Sequence, residues 1–298
     1  MNYRDITRIA SGIEAKDLAI LALSKAKYEM ARASRSWAPI SMSIEVTYWC
    51  NRRCAGCYIP NERKTEKPVI EQSLLEKAVN QAKDEQIPFV GFAGGEPLAP
   101  ISRDKLYSLI RKNPLSLFFV FTNGDYLPSL KDEIKQNHNL AYMVSLDGLE
   151  EVHDRIRGAG SFRRVTKSFE TLSENKKIFG ASITVRRDSA SQIGSEEFFR
   201  YLSSQKVRFA RIRTVKGVSE GISRQEEQSL MDLTDSLAKR YGVLINWGGL
   251  EDPDSDLPSK DLLVGMEGTL RASRFNMEES FGNLAQESLR DIIKRIRS

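Results

Sequence analysis

Histidine and cysteine are scarce in this chain of 298 residues, which holds two histidines and three cysteines. All three cysteines lie in one segment of eight residues, Cys50-Asn51-Arg52-Arg53-Cys54-Ala55-Gly56-Cys57, and none remains elsewhere for a disulfide framework. This usage argues against a disulfide-rich secreted protein, because thiols kept together in one loop are typical of a reducing compartment. We therefore expect a cytoplasmic protein.

Long apolar runs and a strong charge of one sign are also missing. No stretch of about 20 residues is apolar enough to span a bilayer. Met1-Asn2-Tyr3-Arg4-Asp5 begins a charged segment rather than a signal peptide. The net charge of +5 does not call for nucleic acid as a partner. With 40% hydrophobic and 29% charged residues, the composition is that of a soluble enzyme with one large core.

The cysteine spacing, C-x3-C-x2-C, follows an apolar-alternating run over residues 42–49. Thiolates are the usual ligands of iron–sulfur clusters, and this loop offers three corners of a [4Fe–4S] cube. A fourth cysteine is missing, so one iron is left open for a substrate or cofactor. The alternatives are three structural thiols and a zinc site, to which only His138 and His153 offer imidazole ligands.

Short segments rich in β-branched and aromatic residues alternate with helical patterns from residue 42 onward. Apolar residues recur at helical spacing most clearly at Leu74, Leu75, Ala78, Val79 and Ala82. This alternation predicts parallel strands with right-handed crossovers. Six repeats indicate an α/β fold, an open partial (β/α)6 barrel of the TIM type. The predicted strands cover residues 42–48, 89–93, 117–122, 141–146, 181–185 and 208–213.

Further motifs end the predicted strands, where barrels of this kind place their chemistry. The loop Gly94-Gly95-Glu96-Pro97 follows the second strand, and its two glycines let backbone carbonyls approach a ligand. Glu96 offers a carboxylate to an ammonium group, and Pro97 fixes the turn. Asn123 follows the third strand, where the alternative is a simple turn with Gly124. Ser145 and Asp147 lie at the end of the fourth.

In this order and spacing, the motifs resemble the radical S-adenosylmethionine (SAM) superfamily, whose signature is C-x3-C-x2-C after the first barrel strand. The resemblance covers residues 42–215 well and the remainder weakly. It implies one [4Fe–4S] cluster on Cys50, Cys54 and Cys57, with SAM chelating the open iron. It also implies reductive cleavage of SAM to a 5′-deoxyadenosyl radical, with an external electron donor such as flavodoxin or ferredoxin.

The same resemblance implies which residues hold SAM. The glycine-rich loop would hold the amino group, Ser145 would lie near the methionyl carboxylate or the ribose, and Arg157 is a candidate partner of that carboxylate. For Asp147, the alternative is that it ties its loop to the following helix together with His153 and Arg155. The expected cofactor-binding residues are Tyr58, Gly94, Gly95, Glu96, Pro97, Asn123, Ser145, Asp147 and Arg157.

Two features leave the ligand contacts open. Many members of the superfamily carry an aromatic residue before the third cysteine, whereas this chain has Gly56, with Tyr58 after the motif. The packing of adenine is therefore not fixed by the motif. Arg211 and Arg213 alternate along the sixth predicted strand and point to one side of it. In the barrel lumen they would favour a substrate carboxylate or phosphate, and on the outer side they would be solvated.

We expect three regions: an N-terminal helical segment (1–40), the barrel core (41–217) and a C-terminal region (218–298) that resembles a SPASM or twitch extension. That extension normally carries several cysteines and here has none, so no auxiliary cluster is expected. The predicted helix over residues 13–35 is basic and apolar over a broad arc. This pattern favours packing on the barrel over contact with a membrane surface.

The expected function is that of a radical SAM enzyme that modifies a small-molecule or peptide substrate. One alternative is adenosyl or methyl transfer to a lipid or isoprenoid substrate. The other is a non-catalytic iron–sulfur scaffold or redox sensor that has kept the barrel without turnover.

Overall fold

A computed structural model describes residues 19, 22–24, 26–30, 38–65, 68–215, 221–248, 260–271 and 280–297 of the chain. Its strands are β1 (Ser41–Thr47), β2 (Phe89–Gly94), β3 (Phe118–Thr122), β4 (Leu140–Ser145), β5 (Phe179–Val185), β6 (Phe209–Thr214), β7 (Leu244–Trp247), β8 (Asp261–Val264), β9 (Thr269–Arg271) and β10 (Gly282–Asn283). Within the described ranges they form one sheet in the order β10-β9-β8-β1-β2-β3-β4-β5-β6-β7, parallel from β8 to β7.

Helices alternate with these strands along the chain. They are α1 (Gln72–Asp84), α2 (Arg103–Lys112), a 3-10 turn (Leu127–Ser129), α3 (Lys131–Gln136), α4 (Glu150–Arg157), α5 (Ser161–Glu174), α6 (Ala190–Ile193), α7 (Glu196–Ser204), α8 (Arg224–Tyr241) and α9 (Leu289–Arg297). The six predicted strands match β1 to β6, with ends shifted by one or two residues. The predicted α/β fold is therefore confirmed.

The two faces of β1 have different surroundings because side chains alternate along a strand. Met42, Ile44 and Val46 are fully buried in the apolar core that β1 shares with the inner face of α1. Ser43 and Glu45 point to the opposite side, toward the barrel interior. A polar residue in the middle of a buried strand therefore lines the lumen.

Side-chain contacts across the lumen reveal how strongly the sheet curves. Arg211 on β6 donates from Nη2 to Asp261 Oδ2 on β8 at 2.7 Å, although five strands separate β6 from β8 in the sheet order. The guanidinium of Arg211 also lies 5.9 Å from the ring centre of Phe121 on β3. A flat sheet could not bring these strands together. The sheet is therefore curled into the partial barrel that the strand–helix alternation predicts.

The C-terminal residues that the structure describes extend this sheet. β8 pairs in parallel with β1 from Ser41↔Asp261 to Ile44↔Val264, and β9 and β10 add antiparallel strands beyond it. α9 buries Leu289, Ile292 and Ile293, and its first backbone N–H donates to Gln81 of α1 at 2.9 Å. Sequence patterns did not predict this pairing, because β8 and β1 lie more than two hundred residues apart.

Part of the predicted N-terminal helix is described. Residues 19, 22–24 and 26–30 are helical, and the ring of Tyr28 lies 5.7 Å from that of Phe89 at the start of β2. The rest of the predicted 13–35 helix lies outside the described residues. Among the helices that the structure describes, none is long and apolar enough to cross a membrane.

Candidate active site

The cysteine loop, residues 50–57, follows the end of β1 and is held through its backbone. Ala55 N–H donates to the carbonyl oxygen of Ile156 in α4 at 2.8 Å. The carbonyl oxygen of Ala55 accepts from Nη1 of Arg186, just beyond β5, at 3.2 Å. Cys50 and Cys54 are half-buried, and Cys57 is exposed. The loop is thus fixed against the elements that follow β4 and β5.

Asp125 fastens the first half of the loop. It accepts from Nε of the buried Arg52 at 2.8 Å and from Nδ2 of Asn51 at 2.7 Å. Arg164 of α5 approaches the same carboxylate at 3.0 Å, and Arg52 also donates to the carbonyl oxygen of Arg157 at 3.0 Å. A buried guanidinium is tolerated because its charge is paired and hydrogen-bonded. The sequence prediction missed Asp125, although it lies directly after Thr122-Asn123-Gly124.

The structure explains why residue 56 is a glycine, which the resemblance of the motifs does not. Its backbone lies at φ +64°, in the left-handed region that favours glycine. A Cβ built on it would overlap Nη1 of Arg186, the side chain that anchors Ala55. A side chain larger than hydrogen before the third cysteine would therefore displace an anchor of the loop.

The glycine-rich loop packs directly against the chain that leads into Cys50. Gly95 N–H donates to the carbonyl oxygen of Thr47 at 2.6 Å, and Glu96 N–H donates to that of Trp49 at 2.8 Å. A Cβ on Gly95 would overlap the carbonyl oxygens of Tyr48 and Trp49. Glycine is needed here because two backbones meet without room for a side chain. Gly94 and Gly95 keep partial exposure, whereas Glu96 and Pro97 are buried.

The side chain of Glu96 points away from solvent, with 0% exposure. Its Oε1 accepts from Thr122 Oγ1 at 2.7 Å and from Leu98 N–H at 3.0 Å, and Oε2 accepts from Asn123 N–H at 2.7 Å. Burial raises the pKa of this carboxyl to about 7, although the three hydrogen bonds lower it. In this structure the side chain of Glu96 ties the end of β2 to the end of β3, and its contact with an ammonium group stays a prediction.

Asn123 links its own loop to the cysteine loop. Its Nδ2 donates to Asn51 Oδ1 at 2.8 Å and lies 3.9 Å from the Sγ atom of Cys50. Its Oδ1 accepts from Asp125 N–H at 3.0 Å, which closes a local turn. The turn expected with Gly124 is thus present, and the same side chain also approaches the first thiol.

Asp147 and Arg157 pair with each other beside the cysteine loop. Nε of Arg157 donates to Asp147 Oδ2 at 2.6 Å, and Asp147 Oδ1 accepts from Thr184 N–H at 2.9 Å. The Nδ1 atom of the buried His153 accepts from Asp147 N–H at 3.2 Å. These contacts match the alternative for Asp147 and His153, which tie the loop to α4, whereas Arg155 of α4 lies near Glu151 and Asp188 instead. Ser145, at the end of β4, is half-buried and pairs with Ser182 of β5.

Glu45 is a residue of the lumen that the sequence prediction missed. It is 3% exposed, and its two oxygens accept from two phenols: Tyr58 at 2.9 Å and Tyr48 at 3.2 Å. The hydroxyl of Tyr58 also lies 3.4 Å from the carbonyl oxygen of Gly94. The available signal was an acidic residue between Ile44 and Val46, where an alternating strand turns one face toward the lumen.

Arg211 and Arg213 face the lumen, which decides between the two orientations left open by the sequence. Both contact Asp261 of β8, at 2.7 Å and 3.7 Å respectively. Ser41 Oγ also donates to Asp261. A cluster of two guanidinium groups around one carboxylate therefore lies inside the barrel, between β6 and β8.

The cysteine loop offers the donor atoms that an iron–sulfur cluster needs. Its three thiols, in the spacing C-x3-C-x2-C, suit three corners of a [4Fe–4S] cube. His153 is engaged with Asp147, which weakens the zinc alternative. Burial raises the pKa of the Cys50 thiol to about 11, so ligation would have to displace its proton.

Comparison with known proteins gives consistent relatives. The sequence model of the radical SAM superfamily matches residues 44–188. The mycofactocin maturase MftC of Mycolicibacterium smegmatis is 26% identical over 161 residues, which is 52% of this chain and 40% of MftC. The Fe-coproporphyrin III synthase of Methanosarcina barkeri is 25% identical over 206 residues, which is 63% of this chain and 49% of that enzyme. The chain thus spans less than half the length of each of these relatives.

Solved structures share the fold. Crystal structures of SuiB from Streptococcus suis, bound to SAM or to the precursor peptide SuiA, each give a TM-score of 0.70. Their sequence identities are 16% and 15%, and the alignments cover 92% of this chain and 71% and 70% of the SuiB chains. The matched family segment contains the cysteine loop, the glycine-rich loop and the ends of β1 to β5. Residues 44–188 form a radical SAM domain, for which a [4Fe–4S] cluster and SAM are the cofactors.

Proposed function

We propose that this protein is a radical SAM enzyme that modifies a peptide. The observation that carries the proposal is the meeting of three loops, residues 50–57, 94–97 and 123–125, at the carboxyl ends of β1, β2 and β3. Backbone and side-chain hydrogen bonds join each loop to the next, so the thiols and the glycine-rich loop keep a fixed separation. Peptide as the substrate class is supported by two relatives, the maturase MftC and SuiB with its bound precursor peptide.

When bound, a [4Fe–4S] cluster and SAM would supply the radical chemistry, which is one-electron reductive cleavage of SAM to methionine and a 5′-deoxyadenosyl radical. The protein supplies ligands and position. Cys50, Cys54 and Cys57 would hold three irons. An external one-electron donor such as flavodoxin or ferredoxin is part of the proposal, because the chain's three cysteines leave none for a second cluster.

For SAM itself, we assign the amino group to backbone carbonyls of Gly94 and Gly95, which are half-exposed at the end of β2. We assign Ser145, at the end of β4, to the ribose or the methionyl carboxylate. Arg157 is held by Asp147 and is 16% exposed in its side chain, so one edge of its guanidinium remains for a carboxylate. Asn123 and Pro97 shape the loop rather than contact the ligand, and Tyr58 lies between the two loops.

Arg211 and Arg213 are the proposed substrate-facing groups. They lie on β6 within the lumen and are 14% and 29% exposed in their side chains. Guanidinium groups favour carboxylates and phosphates because their planar donors form two parallel hydrogen bonds. In a peptide substrate, the matching group is an acidic side chain or the terminal carboxylate.

The proposal is tested by mass spectrometry of a candidate precursor peptide incubated with reconstituted enzyme, SAM and dithionite. A peptide that loses hydrogen or carbon dioxide while 5′-deoxyadenosine accumulates supports modification by hydrogen abstraction. A peptide or small molecule that gains the mass of an adenosyl or methyl group supports the transfer alternative. SAM that stays intact, with or without peptide, supports the scaffold or sensor alternative and contradicts the proposal.

A further inference from the structure

Glu45 lies in the lumen between two tyrosines, and no part of the proposed chemistry uses it. A carboxylate with 3% exposure is costly to bury unless its oxygens receive hydrogen bonds. Tyr58 and Tyr48 provide one each, at 2.9 Å and 3.2 Å. The two phenols therefore satisfy the same group, but they come from different parts of the chain.

Only one of the two phenols connects the cofactor loops. Tyr58 follows the third cysteine directly, and its hydroxyl lies 3.4 Å from the carbonyl oxygen of Gly94. The hydroxyl has a single proton, which it donates to Glu45 because this carboxylate oxygen is the closer acceptor. Tyr48 contacts the other oxygen of Glu45 and belongs to the chain before the cysteine loop. Its ring packs against Arg63 instead.

The rest of the cysteine loop is anchored on its other side. Arg52 is tied to Asp125, and Ala55 is tied to Ile156 and Arg186. Cys57 is exposed, and the next side chain, Tyr58, reaches back to Glu45 on β1. The third thiol and the glycine-rich loop thus share one hydrogen-bonded phenol.

We propose that Glu45 is a positioning residue that acts through Tyr58. By holding the Tyr58 hydroxyl on β1, it fixes the chain after Cys57 beside the loop that receives the amino group of SAM. The hydrogen bond to Glu45, rather than a bond to Gly94, then sets the distance between the cluster ligands and that loop. The proposal rests on the assignment of the Gly94-Gly95 loop to SAM.

The test is SAM binding to the anaerobically reconstituted enzyme, measured by calorimetry and by the electron paramagnetic resonance signal of the reduced cluster. Tyr58→Phe keeps the ring and removes the hydroxyl. We expect it to retain the iron content of the wild type and to bind SAM about tenfold more weakly, because SAM binding must then order a segment that the hydrogen bond to Glu45 no longer holds in place. The fraction of the cluster signal that SAM alters at a fixed concentration should fall accordingly.

Tyr48→Phe is the matched control. It removes the other phenol from the same carboxylate without touching the cysteine loop, and SAM affinity should stay at the wild-type value. Glu45→Gln should also remain near wild type, since an amide oxygen still accepts from Tyr58. Glu45→Ala should lose SAM affinity as Tyr58→Phe does. If Tyr58→Phe does not fold, the SAM affinities of Glu45→Ala and Tyr48→Phe are compared instead.

Three results would overturn the positioning role. One is wild-type SAM affinity with an unaltered spectroscopic response in Tyr58→Phe. Another is an equal loss of SAM affinity in Tyr48→Phe, which would show that Tyr58 has no special role among the two hydrogen bonds to Glu45. The third is loss of iron from Tyr58→Phe at an unchanged melting temperature, which would place the effect on the cluster. A wild-type enzyme that binds no SAM would instead contradict the proposed function itself.

Discussion

Glu96 shows how a residue inside a known motif acquires a role that its sequence position does not reveal. The motif suggests a carboxylate facing a ligand, but the structure gives both oxygens to donors from neighbouring strand ends. In the proposed site, the loop would therefore present its backbone to SAM. The side chain acts indirectly, because it holds the ends of β2 and β3 in a fixed position relative to each other.

The first prediction concerns Glu96→Gln. The amide NH2 would face the N–H of Asn123, so a donor would oppose a donor in a fully buried site. The free energy of unfolding should fall by about 1–3 kcal/mol, as measured by urea denaturation of the reconstituted enzyme. Thr122→Val, which removes one donor and leaves the carboxylate, should cost less. Unchanged stability together with lost SAM affinity would return the carboxylate to a direct contact with the ammonium group.

The second prediction concerns Gly56→Ala. An alanine in the left-handed region costs about 1 kcal/mol relative to glycine, and here its Cβ would also displace Arg186 from Ala55. We expect lower thermal stability and faster loss of iron on exposure to a chelator. Gly242→Ala is the control, because Gly242 has a similar φ of +69° and its Cβ would meet nothing closer than 4.0 Å. Equal effects of the two substitutions on iron retention would contradict the account.

At the scale of elements, Asp125 joins β3 and α5 to the cysteine loop. It follows β3, receives Arg52 and Asn51 from the loop, and receives Arg164 from α5. Because the side chain of Arg52 is 5% exposed, its positive charge is largely removed from water and needs this carboxylate as a partner. The loop is therefore held by this ion pair as well as by the backbone hydrogen bonds of Ala55.

The third prediction is that Asp125→Ala leaves Arg52 buried without its charge partner. Breaking a buried pair on one side costs roughly 3–5 kcal/mol, so the variant should melt earlier and reconstitute with less iron. Glu170→Ala removes an exposed partner of Lys167 on α5 and should change neither property. Melting curves and iron assays on both variants make the comparison. An Asp125→Ala enzyme with the iron content and melting point of the wild type would show that the loop needs no ion pair.

Across the whole molecule, sequence patterns predicted local elements well and distant contacts poorly. Apolar alternation located β1 to β6, and the local pattern of Ser223 with Glu226 forms the capping box that begins α8. The cysteine and glycine-rich loops were found because each is contiguous. Asp125, Glu45 and Asp261 were missed because each matters only through partners that the fold brings from elsewhere. The orientation of Arg211 also needed the curvature of the sheet.

The most direct test of the account is release of 5′-deoxyadenosine by anaerobically reconstituted protein with SAM and dithionite, with iron counted in the same sample. We predict about four irons per chain and formation of 5′-deoxyadenosine. Cys54→Ala should lose both the cluster and the product. About eight irons per chain, or a wild-type protein that holds its cluster and leaves SAM intact, would contradict a single catalytic cluster on Cys50, Cys54 and Cys57.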